Sequence, residues 1–132
     1  MRIINLDQIS SKPLLPEVKA AMIDAINSDY ANPSSQRKSG EQAAEAMGRA
    51  RESVAGLLNA AEPKEIVFTS GGTESVNHAI KGVAMANKKK GKHIVISNIE
   101  HNAVIRSVRR LKSAGYHITS VSVDEHGRVN PQ

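Results

Sequence analysis

Apolar residues recur along this chain at two different periods, and the change from one to the other predicts most of its elements. Val18, Ala21, Met22, Ala25 and Ile26 recur at threes and fours. That spacing predicts a helix over about residues 17–28, with this stripe buried and Pro16 in its first turn. A second stripe, Ala43, Met47, Ala50, Val54 and Leu57, predicts a helix over about 40–58, with Glu45, Arg49, Arg51 and Glu52 on other faces. Beyond it, short β-branched runs at 65–69, 93–97 and 117–123 read as strands. Stretches of helical period at about 74–87 and 102–113 lie between them, the second capped by Gly115. Residues 2–6 read as a short extended segment, ended by Pro13 and Pro16, and 30–35 as a polar loop.

Strands alternating with helices of ten or more residues predict an α/β domain with a mostly parallel sheet flanked by helices. Ligands on such sheets sit beyond the carboxyl ends of the strands. The loops at 70–73 and 98–101 both follow strand ends, so one sheet edge is the candidate site.

Composition narrows the function classes. Aromatic residues are 2% of the 132 residues, which leaves little for base stacking, and the basic residues behind the net charge of +5 are scattered. Nucleic acid is therefore not the expected partner. With no cysteine, there are no disulfides, no thiolate metal ligands and no cysteine nucleophile, and a reducing cytoplasm is the natural setting. No apolar stretch is long enough to span a bilayer, so no membrane role is expected.

Candidate chemistry concentrates in three loops. Gly71-Gly72-Thr73 sits where a strand gives way to a helix. Such a turn lets backbone approach a ligand and aims N–H groups at an anion, and the Thr hydroxyl can either cap the helix or bind a phosphate oxygen. His101, at the next strand-to-helix junction, can cap its helix, or stack on a planar ligand and exchange protons near neutral pH. Asn32-Pro33-Ser34-Ser35 is a turn by its chemistry. His78, His93, His117 and His126 read as structural or exposed, and no spacing suggests a metal site.

Taken in order, Asn32-Pro33-Ser34-Ser35, then Glu65 through Gly82, then Glu100-His101-Asn102-Ala103-Val104 closely resemble the N-terminal part of class V aminotransferases of the cysteine desulfurase type. The resemblance covers essentially the whole chain. It implies part of the large domain of a pyridoxal-phosphate (PLP) transferase of fold type I, incomplete at its C-terminus. Residues 1–15 would be an N-terminal extended segment, and 16–132 the N-terminal part of the PLP-binding domain. It implies that Gly72 and Thr73 hold the PLP phosphate, that His101 stacks on the pyridine ring and assists proton transfer, and that Asn32 belongs to a substrate-side loop. The implied activity is release of sulfur from cysteine, or chemistry on a similar amino acid, for the assembly of cofactors such as iron–sulfur clusters.

The same resemblance sets limits. Where the family reads Asp-Asn-x-Ala-Thr-Thr-Pro, this chain has Asp7-Gln8-Ile9-Ser10-Ser11-Lys12-Pro13, which bears on substrate identity. The family's Schiff-base lysine and reactive cysteine fall beyond position 132, so the chain is expected to be inactive without a complement. It also implies that the strand at 65–69 pairs with one supplied much later in sequence, and that the protein works as a dimer. Two readings follow. One is the N-terminal fragment of a split or truncated enzyme, completed by a C-terminal chain. The other is a non-catalytic remnant that binds phosphate or PLP, or that associates with a full-length homologue.

Overall fold

A computed structural model describes residues 4, 6, 10, 12–28 and 31–130. The extended segment expected at 2–6 falls mostly outside the described residues. Among the described residues, four α-helices, one 3-10 turn and two strands follow in the order α1 (Pro16–Asn27), α2 (Lys38–Leu58), the 3-10 turn (Pro63–Glu65), α3 (Gly72–Ala86), β1 (His93–Ser97), α4 (Asn102–Ser113) and β2 (His117–Val121). The fold class is α/β. The chain divides into two units, Met1–Ile66 and Val67–Gln132.

In the first unit, α1 starts with Pro16 at a position where its missing N–H costs nothing. None of its residues is buried, contrary to the expected buried stripe; Val18, Met22 and Ile26 all remain exposed. Helical period marks which face is apolar but does not supply something to cover it, and α1 packs closely on no other element among the described residues. The long α2 ends at Asn59, whose left-handed backbone (φ 54) stops the helix. Its buried residues are Gly40 and Ala55, off the expected stripe. The 3-10 turn packs on α2, and the Arg51 guanidinium donates to the carbonyl of Ile66.

The expected strand at 65–69 is not formed. Glu65 closes the 3-10 turn, and Ile66 is extended (φ −85, ψ 119), but 66–69 pair with no strand among the described residues. An extended segment becomes a strand only when a neighbour supplies the ladder.

In the second unit, β1 and β2 form a two-stranded parallel sheet with His93 opposite His117 and Ser97 opposite Val121. The expected third strand, 117–123, ends at Val121; Val123 instead bridges antiparallel to Val129 across a turn. The connection β1–α4–β2 brings α4 onto the sheet and α3 onto α4. The core is small and centred on α4: Ala103, Val108 and Leu111 are buried with Tyr116, and the Ser107 hydroxyl inside it donates to the Ala103 carbonyl at 2.7 Å. The C-terminus of α4 closes with the Tyr116 N–H on the Leu111 carbonyl (3.1 Å) and the Gly115 N–H on the Lys112 carbonyl (3.0 Å). Gly115 supplies the positive φ of 86 that this closure needs. The Tyr116 hydroxyl then donates to the Ala84 carbonyl at 2.7 Å, tying the end of α3 to the base of β2.

Much apolar surface stays open. Val83 and Met85 on α3, Val95 on β1, and Val67 and Phe68 before the glycine turn are each more than two-fifths exposed. An apolar cleft of about 430 Å3, lined by Ile80, Val83, Ala84, Ile94 and Tyr116 among others, sits beside the C-terminal half of α3. It is at the end of α3 away from Gly72. Parallel strands are ordinarily covered on both faces, and here β1 is not.

Candidate functional site

Residues 66–69, which have no regular secondary structure, lead through Ser70 into α3, and the helix starts earlier than its periodicity suggests: Gly71 is the N-cap, and Gly72 and Thr73 form the first turn. The first bond inside the helix runs from the Ser75 N–H to the Gly71 carbonyl at 3.1 Å. The N–H groups of Gly72, Thr73 and Glu74 therefore have no acceptor within the helix and point out of its positive end. No side chain caps it. The Thr73 hydroxyl does not take the capping role that the sequence left open, and it remains available to a ligand. A Cβ built on Gly71 or Gly72 would meet nothing within 4 Å. The turn is thus an open cradle lined with backbone donors, which suits a phosphate group.

Two side-chain contacts hold this cradle, and neither was singled out from the sequence. Glu74, in the first turn, reaches back so that one carboxylate oxygen accepts from the Ser70 N–H (2.8 Å) and the Ser70 hydroxyl (2.6 Å). The hydroxyls of Thr69 and Ser75 meet at 2.6 Å across the same turn. A Ser followed four residues later by Glu at a helix start is close to a capping box, and that spacing was the available signal.

The hydrogen bonds from Ser70, side chain first and then backbone, hold the Glu74 carboxyl below its ordinary value of 4.5, with a smaller favourable effect from His78. A depressed carboxyl favours the folded turn above its unfolded value, and that contribution is lost as pH falls through the folded value. Acidification is therefore expected to release the Ser70 amide as pH falls below the ordinary carboxyl value of 4.5. A carboxyl-detected NMR titration of Glu74, followed together with the Ser70 amide, measures this directly.

His101 is the N-cap of α4, and its Nδ1 accepts from the Ala103 N–H at 3.1 Å. Of the alternatives left open by the sequence, capping is the one the structure displays. An N–H can only donate, so Nδ1 carries no proton here and the ring hydrogen sits on Nε2. The loop that delivers His101 is fixed by the Ser97 hydroxyl donating to Glu100 at 2.9 Å. Gly72 and Thr73 open α3 and His101 opens α4, and these two helices pack on each other.

Asn32 lies in the first unit. Its Oδ1 accepts from the Ser34 N–H at 2.8 Å and its carbonyl from the Ser35 N–H at 2.9 Å, so most of its polar capacity goes into its own turn. That turn presses on α2 at Gly40, where an added Cβ would lie 2.3 Å from the Ser35 carbonyl and 2.9 Å from that of Asn32. Gly40→Ala is expected to displace the 32–35 loop and to destabilise the first unit by at least ~1 kcal/mol, an overpacking cost. Gly48→Ala, on the same helix with open space around it, is expected to be neutral or stabilising. Paired thermal melts would show the contrast.

Of the other histidines, His93 and His117 place their rings 4.7 Å apart at a tilt of 52°, and His93 bonds the Thr119 hydroxyl at 2.7 Å; no group of three or more potential metal ligands occurs among the described residues. No helix of the described residues is long and apolar enough to cross a membrane.

Against known proteins, residues 4–132 match the family model described as Aminotransferase class-V. The chain is 43% identical over 128 residues to the cysteine desulfurase IscS of Methanosarcina thermophila, a stretch that covers 97% of this chain and 31% of that protein. It is 45% identical over 130 residues to the cysteine desulfurase IscS of Vibrio cholerae serotype O1, covering 96% and 32%. Among solved structures, a NifS-like protein superposes with a TM-score of 0.82 at 36% identity, over 92% of this chain and 33% of the other. A structure described as SspA in complex with cysteine gives 0.74 at 38% identity, over 84% and 32%. The chain thus spans about a third of the length of the relatives it matches.

Proposed function

Because the chain belongs to the class V aminotransferase family, we propose that it supplies the N-terminal, phosphate-holding portion of a PLP-dependent enzyme of the cysteine desulfurase type. Cysteine or a similar amino acid is the substrate in this reading, and the setting is cytoplasmic. The observation that carries it is the cradle at Gly71–Glu74: three N–H groups without helical acceptors, an available Thr73 hydroxyl, and open space over both glycines. A dianionic phosphate at that point meets the positive end of α3 and several donors at once.

Bound PLP would supply the electron sink for chemistry at the amino acid's α-carbon. This chain's own residues do the positioning. Gly72 and Thr73 hold the phosphate. His101, with its hydrogen on Nε2, offers a donor at the ring edge, while Nδ1 stays committed to the α4 cap. Accepting a proton at Nδ1 would require giving up that cap, so proton exchange through His101 is coupled to the start of α4. Asn32 belongs, in this reading, to a substrate-side loop.

The lysine that carries the cofactor and the cysteine that accepts sulfur belong, in this reading, to the two-thirds of the enzyme that residues 1–132 do not span. The open face of β1, where Val95 is exposed, suits such an addition to the sheet, and the working enzyme is a dimer in this reading. Co-expression of the chain with the remaining two-thirds of a class V relative should restore conversion of cysteine to alanine, with sulfide released once a thiol reductant is added. Co-purification without any alanine formation would instead favour a non-catalytic remnant that associates with full-length homologues.

A further inference from the structure

From the bonds at the start of α3 we infer that Glu74 is a positioning residue for phosphate binding, acting through Ser70 to hold the Gly72 and Thr73 amides in line. The inference rests on the phosphate reading of this turn and deepens it.

A carboxylate beside an anion site is at first sight unfavourable, since like charges repel. Its placement here is specific. The same oxygen of Glu74 accepts from both the backbone N–H and the hydroxyl of Ser70, at 2.8 and 2.6 Å. Ser70 is the last residue before the Gly71 N-cap. Pinning it from the first turn of α3 closes a loop of five residues around the two glycines. Glycine backbone is the least restrained of any, so without a clamp Gly71 and Gly72 would sample many conformations and the N–H groups would seldom converge. Ordering them before the ligand arrives removes that cost from binding. Taking up two of Ser70's donors also directs the carboxylate's charge back toward the loop.

The clamp and simple charge repulsion make opposite forecasts. Glu74→Gln keeps an oxygen of the same reach, able to accept both bonds, and removes the charge. Glu74→Ala removes clamp and charge together. If Glu74 positions the turn, Gln should bind inorganic phosphate and PLP about as well as the parent chain, and Ala about tenfold more weakly, the size of a lost charge-assisted hydrogen bond. If Glu74 only repels, both variants should bind more tightly than the parent.

The experiment is a titration of the 132-residue chain with inorganic phosphate and with PLP, reading the amide NMR shifts of Gly72 and Thr73, and the exchange of the Ser70 amide with and without ligand. Weak binding by Glu74→Ala, rescue by Gln and faster Ser70 exchange in Ala alone are the expected results. Equal binding by parent and Ala overturns the positioning role and leaves the phosphate site standing. No ligand-induced shift at Gly72 or Thr73 in the parent overturns both.

Discussion

Leu111→Ala is expected to cost the second unit about 2–5 kcal/mol, the range for deleting a fully buried leucine side chain. Leu111 is 2% exposed at the centre of the small core on α4, next to the Tyr116 that closes the helix and ties it to α3. Among the described residues of this unit, few other side chains are buried to share the loss. The consequence would reach the site, because α4 carries His101 at its start and packs against α3. Leu111→Met, close in volume and flexible, should cost less than about 1.5 kcal/mol. Urea unfolding followed by circular dichroism separates the two. A Leu111→Ala midpoint equal to that of Leu111→Met would show that α4 is not the core.

Gly72→Asp should separate stability from binding. Gly72 is helical, and a Cβ there meets open space, so the new side chain fits. A carboxylate in the first turn stabilises a helix by about 0.3–1 kcal/mol, and replacing a helical glycine favours the fold further. The same carboxylate stands where a phosphate would. Affinity for phosphate or PLP is therefore expected to fall by about ten- to a hundredfold, the effect of a like charge a few ångströms away in partly screened surroundings. Gly72→Asn, which adds nearly the same bulk without charge, should lose much less. A melting temperature that rises while affinity collapses is the signature of an anion site. Parallel losses of both would mean that Gly72 matters only for folding.

The sequence was most legible where local chemistry decides the outcome. The bounds of α4 follow from a helical apolar stripe between a histidine that can cap and a glycine that can adopt positive φ, and both residues take those roles. β1 was legible for a similar reason, as a β-branched run bounded by a lysine-rich turn and a polar loop. What escaped was non-local. Residues 66–69 have strand composition, but a strand needs a neighbour's ladder; composition says nothing of whether one is present, and only the family resemblance placed that neighbour much later in sequence. The stripe on α1 told which face is apolar and not that it would stay exposed. At the site, the sequence marked Gly72, Thr73, His101 and Asn32 as special but read the glycines as turn, whereas Gly72 and Thr73 already belong to the helix. That shift of two residues leaves their N–H groups without acceptors. The Glu74–Ser70 clamp was missed because each residue alone looks ordinary, and only their spacing across two glycines gives it meaning.

The central claim is that the start of α3 holds the phosphate of PLP. The most direct measurement compares PLP with pyridoxal, which has the same ring and aldehyde but no phosphate, in an NMR titration of the chain that follows the Gly72 and Thr73 amides. A phosphate cradle predicts that PLP shifts both amides, that inorganic phosphate shifts the same two and competes with PLP, and that pyridoxal leaves them unmoved. Equal shifts from pyridoxal and PLP, or PLP shifts confined to other residues, would contradict it.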